Sequence, residues 1–136
     1  MRALSWLLLL VAACAAGPAA CAELVLRYDA PAPETHAGWE RQALPIGNGR
    51  LGAMVFGGVA REHLQFNDIT LWTGDARHMG AYQPFGDVVV ELAGASGPAS
   101  HYRRELQLDR ARHLVTYEQG GAHFRREVFA SHPAQA

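Results

Sequence analysis

Apolar and polar positions alternate along most of this chain with a period of two, the period of a β-strand that buries one face. "ELVLRY" puts Leu24, Leu26 and Tyr28 on one face, and "EHLQFND" puts Leu64 and Phe66 inward. "AMVFGGV" is a short β-rich run, "GDVVVEL" (Gly86 to Leu92) a compact valine-rich strand, and "RRELQLD" alternates again. The clearest element is a hairpin. "RHLVTYE" and "AHFRREVF" flank Gln119-Gly120-Gly121, and glycine tolerates the positive φ of a tight antiparallel turn. "DAPAPETHAG" (Asp29 to Gly38) and "AGASGPAS" carry the prolines and glycines of loops. No helical period is sustained after the N-terminal segment. Short strands at this spacing predict an all-β fold, an antiparallel β-sandwich over residues 24 to 133 with little helix.

The N-terminal segment reads differently. Met1-Arg2 gives a positive start, "ALSWLLLLVAACAA" is apolar without a break, and small residues follow. That order is a secretory signal, too short to span a bilayer comfortably, with cleavage after Ala22. The chain then divides into a signal peptide (1–22) and one domain (23–136), exported to the periplasm or the exterior. "VAAC" (Val11 to Cys14) also resembles a bacterial lipobox, and "PAAC" ending at Cys21 fits that pattern less well. Lipidation at Cys14 or Cys21 is the one route by which this sequence implies a membrane partner. Both cysteines lie in or beside this segment, so the domain must be stabilised by an ordinary core without disulfides.

Charge narrows the partners. The formal net charge is −1, every basic residue is arginine, and the signs are interspersed. Neither nucleic acid nor an acidic membrane surface is expected to bind such a chain. Gly47-Asn48-Gly49-Arg50-Leu51-Gly52 spells G-x-G-x-x-G, but a dinucleotide turn must follow a strand and open a helix. Pro45 lies just upstream, and Gly57-Gly58 breaks the β-rich run downstream. Each glycine inside a helix would cost about 1 kcal/mol relative to alanine. The glycines therefore mark tight turns and close backbone approaches, with Asn48 as a left-handed turn residue.

Longer motifs carry a family resemblance. "LPIGNGRLGAMVFGG" (Leu44 to Gly58) is followed by Asn67, Asp68, Thr70, Leu71, Trp72 and Gly74 in the pattern N-E/D-x-T-L-W-x-G. "YQPFGDVVVEL" (Tyr82 to Leu92) and "YRRELQLDRARHLVTYEQGGAHFRREVFASHP" (Tyr102 to Pro133) extend the match. Together they resemble the N-terminal region of glycoside hydrolase family 95, known for α-L-fucosidases and some α-L-galactosidases, over nearly all of the mature chain. The resemblance implies an inverting hydrolase whose catalytic carboxylates lie in an (α/α)6 barrel beyond this domain. It implies as partners a fucose-bearing oligosaccharide or polysaccharide and that barrel, with no cofactor. Only "DARHMGA" (Asp75 to Ala81) stands where many members carry a helical insertion, which suggests a shortened subgroup.

The residues themselves supply part of that chemistry. An inverting glycosidase needs two carboxyl groups roughly 6.5–9.5 Å apart, in a pocket that raises one pKa. Asp68, Asp75, Asp87, Glu91, Glu105, Asp109 and Glu127 lie in strands or turns, and no catalytic residue is assigned among them. The candidate substrate-binding residues are Asn67, Asp68, Thr70 and Trp72. An aromatic platform can lie under a sugar ring's C–H face while polar side chains meet its hydroxyls. The competing reading puts Trp72 in the core, with Asp68 and Thr70 holding their own turn. The seven histidines form no H-x-x-x-H or H-E-x-x-H array, so no metal site is expected. The arginine pairs 103–104 and 125–126 point to opposite faces and read as ion-pair partners and surface residues. Three roles remain open on sequence: a portion of an exported fucosidase-like hydrolase, a stand-alone secreted carbohydrate-binding β-module, or a β-domain that packs against an enzyme.

Overall fold

The computed structural model describes residues 24–94 and 96–136. The expectations for the signal peptide, its cleavage and lipidation at Cys14 or Cys21 lie outside them. The sheets are antiparallel throughout. Strands β1 (Val25–Tyr28), β8 (Ser100–Gln107), β9 (Arg112–Gln119) and β10 (Ala122–Phe129) form one sheet in the order β1-β8-β9-β10. Strands β2 (Leu44–Gly47), β3 (Leu51–Val55), β4 (Arg61–Asp68) and β7 (Gly86–Glu91) form a second, in the order β2-β3-β4-β7. A small ribbon pairs β5 (Trp72–Thr73) with β6 (Ala81–Tyr82). The expected β-sandwich is present.

The hairpin between β9 and β10 turns where the sequence placed it. Gly120 and Gly121 both have positive φ, 58° and 78°, as a two-residue turn of this hand requires, and Gln119 pairs with Ala122. Along β9 every second residue is buried: His113, Val115, Tyr117 and Gln119 face the other sheet. No helix opens at Gly49 or Gly52. That stretch is the β2–β3 turn, in which Gly47 pairs with Gly52. The positive φ of the turn falls on Gly49 (90°) and not, as expected, on Asn48. Asn48 works through its side chain instead: Oδ1 accepts from the Arg50 and Leu51 amides, and Nδ2 donates to the Ser131 carbonyl.

Two expectations are corrected. The stretch expected as loop, Asp29 to Gly38, ends in the start of a short helix, α1 (His36–Arg41), opened by Thr35, whose hydroxyl accepts from the Gly38 amide. Six residues are too few to display a helical period. Trp39 of α1 and Met54 pack on Ala32, Ala43 and Phe56, a minor core on the outer side of the second sheet. The second correction concerns arginine. Arg103 and Arg125 do pair at the surface, with Glu105 and Glu127. Their neighbours turn inward, and Arg104 is fully buried.

What those inward arginines do explains the "FGGV" motif. Four consecutive carbonyls leaving β3 accept hydrogen bonds from side chains of the opposite sheet. Arg104 donates to Phe56 (3.1 Å), Tyr102 to Gly57 (2.6 Å), Arg126 to Gly58 (2.6 Å) and Tyr117 to Val59 (3.4 Å). Glu62, 1% exposed, accepts from the Gly57 amide and from Arg126. Gly57 has φ +78°, and a Cβ there would lie 2.5 Å from Arg104 Cδ. The bare backbone thus makes room for the side chains that lock the two sheets together.

Candidate functional site

The end of β4 builds the candidate site. Asp68 pairs with Leu51 across the sheet, and the Ile69 amide donates to the Arg50 carbonyl. The chain turns there because Asp68 Oδ1 accepts from both the Thr70 amide (2.9 Å) and its hydroxyl (2.6 Å), closing a local ring. Asp68 Oδ2 accepts from Arg50 Nε at 3.1 Å. The Thr70 hydroxyl first, then its amide and Arg50, hold the Asp68 carboxyl below its ordinary range. Asn67 Oδ1 accepts from the Asp68 amide at 2.9 Å. The turn delivers Trp72 into the β5–β6 ribbon, where it meets Tyr82 edge-on, centroids 4.8 Å apart and planes at 83°.

Of the four residues the sequence put forward, Asn67, Asp68 and Thr70 come together, and Trp72 lies apart against Tyr82. Asp68 and Thr70 are spent on the turn, as their structural reading required. Trp72 does not fill the core: it is 49% exposed, and Tyr82 57%. The surface left for a ligand is the Trp72–Tyr82 corner and Asn67 Nδ2, which is unspent among the described residues. A shallow depression of about 260 Å³ lies beside them, lined by Arg50, Asn67, Asp68, Ile69 and Tyr82. A second, of about 400 Å³, adjoins it through Asn67 and Tyr82 and includes Gln65, Gln83 and Trp39. Those last three and Tyr82 were not put forward. Gln65 and Asn67 were legible, since period two places both on the outer face of β4. Trp39 was not, because the six-residue helix α1 that carries it is too short to display a helical period.

Carboxylates among the described residues are mostly bound to donors. Asp75 accepts from the Arg77 and His78 amides, which lower its pKa. Asp87 meets His63 at 2.7 Å, Glu105 meets Arg27 at 3.2 Å, and Glu127 meets Arg112 at 3.1 Å. For Asp68 and Asp75 the ionised form is stabilised, the reverse of what a general acid requires.

The chain matches the family model described as the glycosyl hydrolase family 65 N-terminal domain, over residues 26–80 and 75–136. It is 34% identical over 131 residues to alpha-L-fucosidase 2 of Arabidopsis thaliana, covering 68% of this chain and 16% of that protein. It is 24% identical over 142 residues to probable alpha-fucosidase A of Aspergillus niger, covering 74% of this chain and 18% of that protein. The chain thus spans less than a fifth of the length of these two relatives. The matching model carries the family number 65 where the motifs resemble family 95, and the two agree on the kind of domain. The chain belongs to the family described as the glycosyl hydrolase family 65 N-terminal domain.

Proposed function

We propose that this chain is the N-terminal portion of an exported, inverting glycoside hydrolase acting on α-L-fucosyl or related α-L-galactosyl linkages. Its part is to pack on a catalytic (α/α)6 barrel and help shape the sugar site, while the barrel supplies the acid and the base. The observation that carries this reading is the half-exposed Trp72–Tyr82 corner beside Asn67, in a domain whose relatives are named as fucosidases. An aromatic face offers the C–H surface of a sugar what water cannot, and Asn67 Nδ2, unspent among the described residues, can meet a hydroxyl. Asp68 and Thr70 serve indirectly, by fixing the turn that aims Asn67 and Trp72. The ion-paired state of the carboxylates supports a supporting role over a catalytic one.

The test is a titration of the isotopically labelled chain with L-fucose, reading the Trp72 indole N–H resonance. L-Fucose is expected to shift it, D-glucose to leave it in place, and Asn67→Ala to weaken the response severalfold. An unmoved Trp72 resonance at tens of millimolar L-fucose would contradict the assignment.

A further inference from the structure

The depression beside Asp68 is one end of a longer feature on the outer face of the second sheet. It shares Gly52, Asn67 and Tyr82 with the 400 Å³ depression. That one shares Trp39, Gln65 and Pro84 with a third, of about 390 Å³, which reaches His36 and His63. The three form one furrow from the Arg50–Asp68 pair, across the ribbon, to helix α1. Each is close to or within the range of about 300–1,000 Å³ typical of small-molecule sites.

The lining specifies what fits. Three amides meet in the middle with hydrogen-bonding capacity unspent among the described residues. The Gln65 side chain makes no hydrogen bond, Asn67 uses only Oδ1, and Gln83 only Nε2, which donates to Thr73 Oγ1 and the Ala81 carbonyl. Two aromatic side chains line it, Tyr82 where the first two depressions meet and Trp39 where the second meets the third. Charge is confined to the ends and already neutralised there. Arg50 is held by Asp68, Arg61 by Glu34, and His63 lies between Glu34 and Asp87. An anionic ligand would find no free cation in the middle of the furrow, and a purely apolar one would desolvate three amides for nothing.

We infer that this furrow binds a neutral oligosaccharide, with Trp39 as a second sugar platform for the part of the glycan that lies away from the fucosyl residue. The inference rests on the proposed function and extends it. The substrate is a longer fucosylated glycan, and this domain reads its backbone. Gln65, at the centre and free of structural duties, is the hydroxyl-reading residue between the two platforms.

The chain carries three tryptophans, at 6, 39 and 72, so indole resonances assigned by single Trp→Phe substitutions report on each end separately. The probes are a neutral fucose-bearing oligosaccharide and the same oligosaccharide after removal of its fucose. Both are expected to move the Trp39 resonance, and only the fucosylated one the Trp72 resonance. Trp39→Ala is expected to weaken binding of the defucosylated probe about tenfold. Because Trp39 also packs on the minor core, Gln65→Ala provides the second variant, with an expected loss of about threefold and an unchanged melting temperature. A Trp39 resonance that stays fixed while Trp72 responds would overturn the furrow and leave the proposed function standing. A Trp72 resonance that stays fixed while Trp39 responds would overturn the fucose assignment and leave a glycan-binding furrow. Neither resonance responding to either probe would overturn both.

Discussion

Glu62 and His113 sit in the same layer between the sheets and place opposite demands on it. Glu62 is the buried carboxylate that meets Arg126, and Arg104 lies in the same layer with Nε and Nη2 unpartnered among the described residues. Removing one member of a buried ion pair leaves its partner's charge uncompensated, at a cost of about 3–5 kcal/mol. Glu62→Ala is therefore expected to remove a sizeable share of a typical stability of about 5–15 kcal/mol, read as a large fall in melting temperature. His113 is buried with both ring nitrogens unpartnered among the described residues. Burial first, then the charges of Arg104 and Arg126, push its pKa down from 6.5 to about 3. Between those values the unfolded imidazole holds a proton that the folded one refuses. Stability is then full above pH 6.5 and falls on acidification towards pH 3, by up to about 1.4 kcal/mol per pH unit. His113→Leu removes two unsatisfied nitrogens and that proton. Its melting temperature should equal or exceed that of the unsubstituted chain at pH 7, and the gap should widen between pH 6 and pH 4. A gap independent of pH would contradict the assignment.

At the scale of elements, the alternation of "RHLVTYE" and the Gly-Gly turn state their structure locally, which is why the β9–β10 hairpin was legible to the residue. The arginines were half legible. Period two says that one member of each pair faces inward, but only the opposite sheet reveals that Phe56, Gly58 and Glu62 await them, 48 to 68 positions away in sequence. Glu62 was accessible in principle, since it shares its face with Leu64 and Phe66. The β-strand of β7 was also read correctly, but not its environment. Val88, Val89 and Val90 are each more than two-fifths exposed because β7 ends the order of the second sheet. Likewise Leu26 keeps its inward register with Leu106 yet remains exposed on the edge strand β1. An edge with apolar side chains and free backbone groups invites pairing with another chain. The chain is expected to associate as its concentration rises, and Val89→Lys to suppress this. Sedimentation velocity on both decides, and a concentration-independent monomer for the unsubstituted chain would contradict it.

At the scale of the whole molecule, two sheets are held together by side-chain clasps on one backbone segment, and a polar turn with an aromatic corner stands at the end of a central strand. Asp68 and Thr70 illustrate why the candidate site was only partly legible. Their identities fit sugar recognition and turn formation equally; the turn bonds between them are local, while the further partner of Asp68, Arg50, comes from a neighbouring strand turn. The central functional claim is that this domain contacts substrate without performing the chemistry. Its most direct test is hydrolysis of an aryl α-L-fucoside by the purified chain. No turnover above the uncatalysed rate is expected, because most described carboxylates are tied to donors, and Asp68 and Asp75 are held below their ordinary range, the reverse of what a general acid requires. Turnover that a single carboxylate substitution, such as Asp68→Asn or Glu62→Gln, abolishes in a still-folded chain would contradict it.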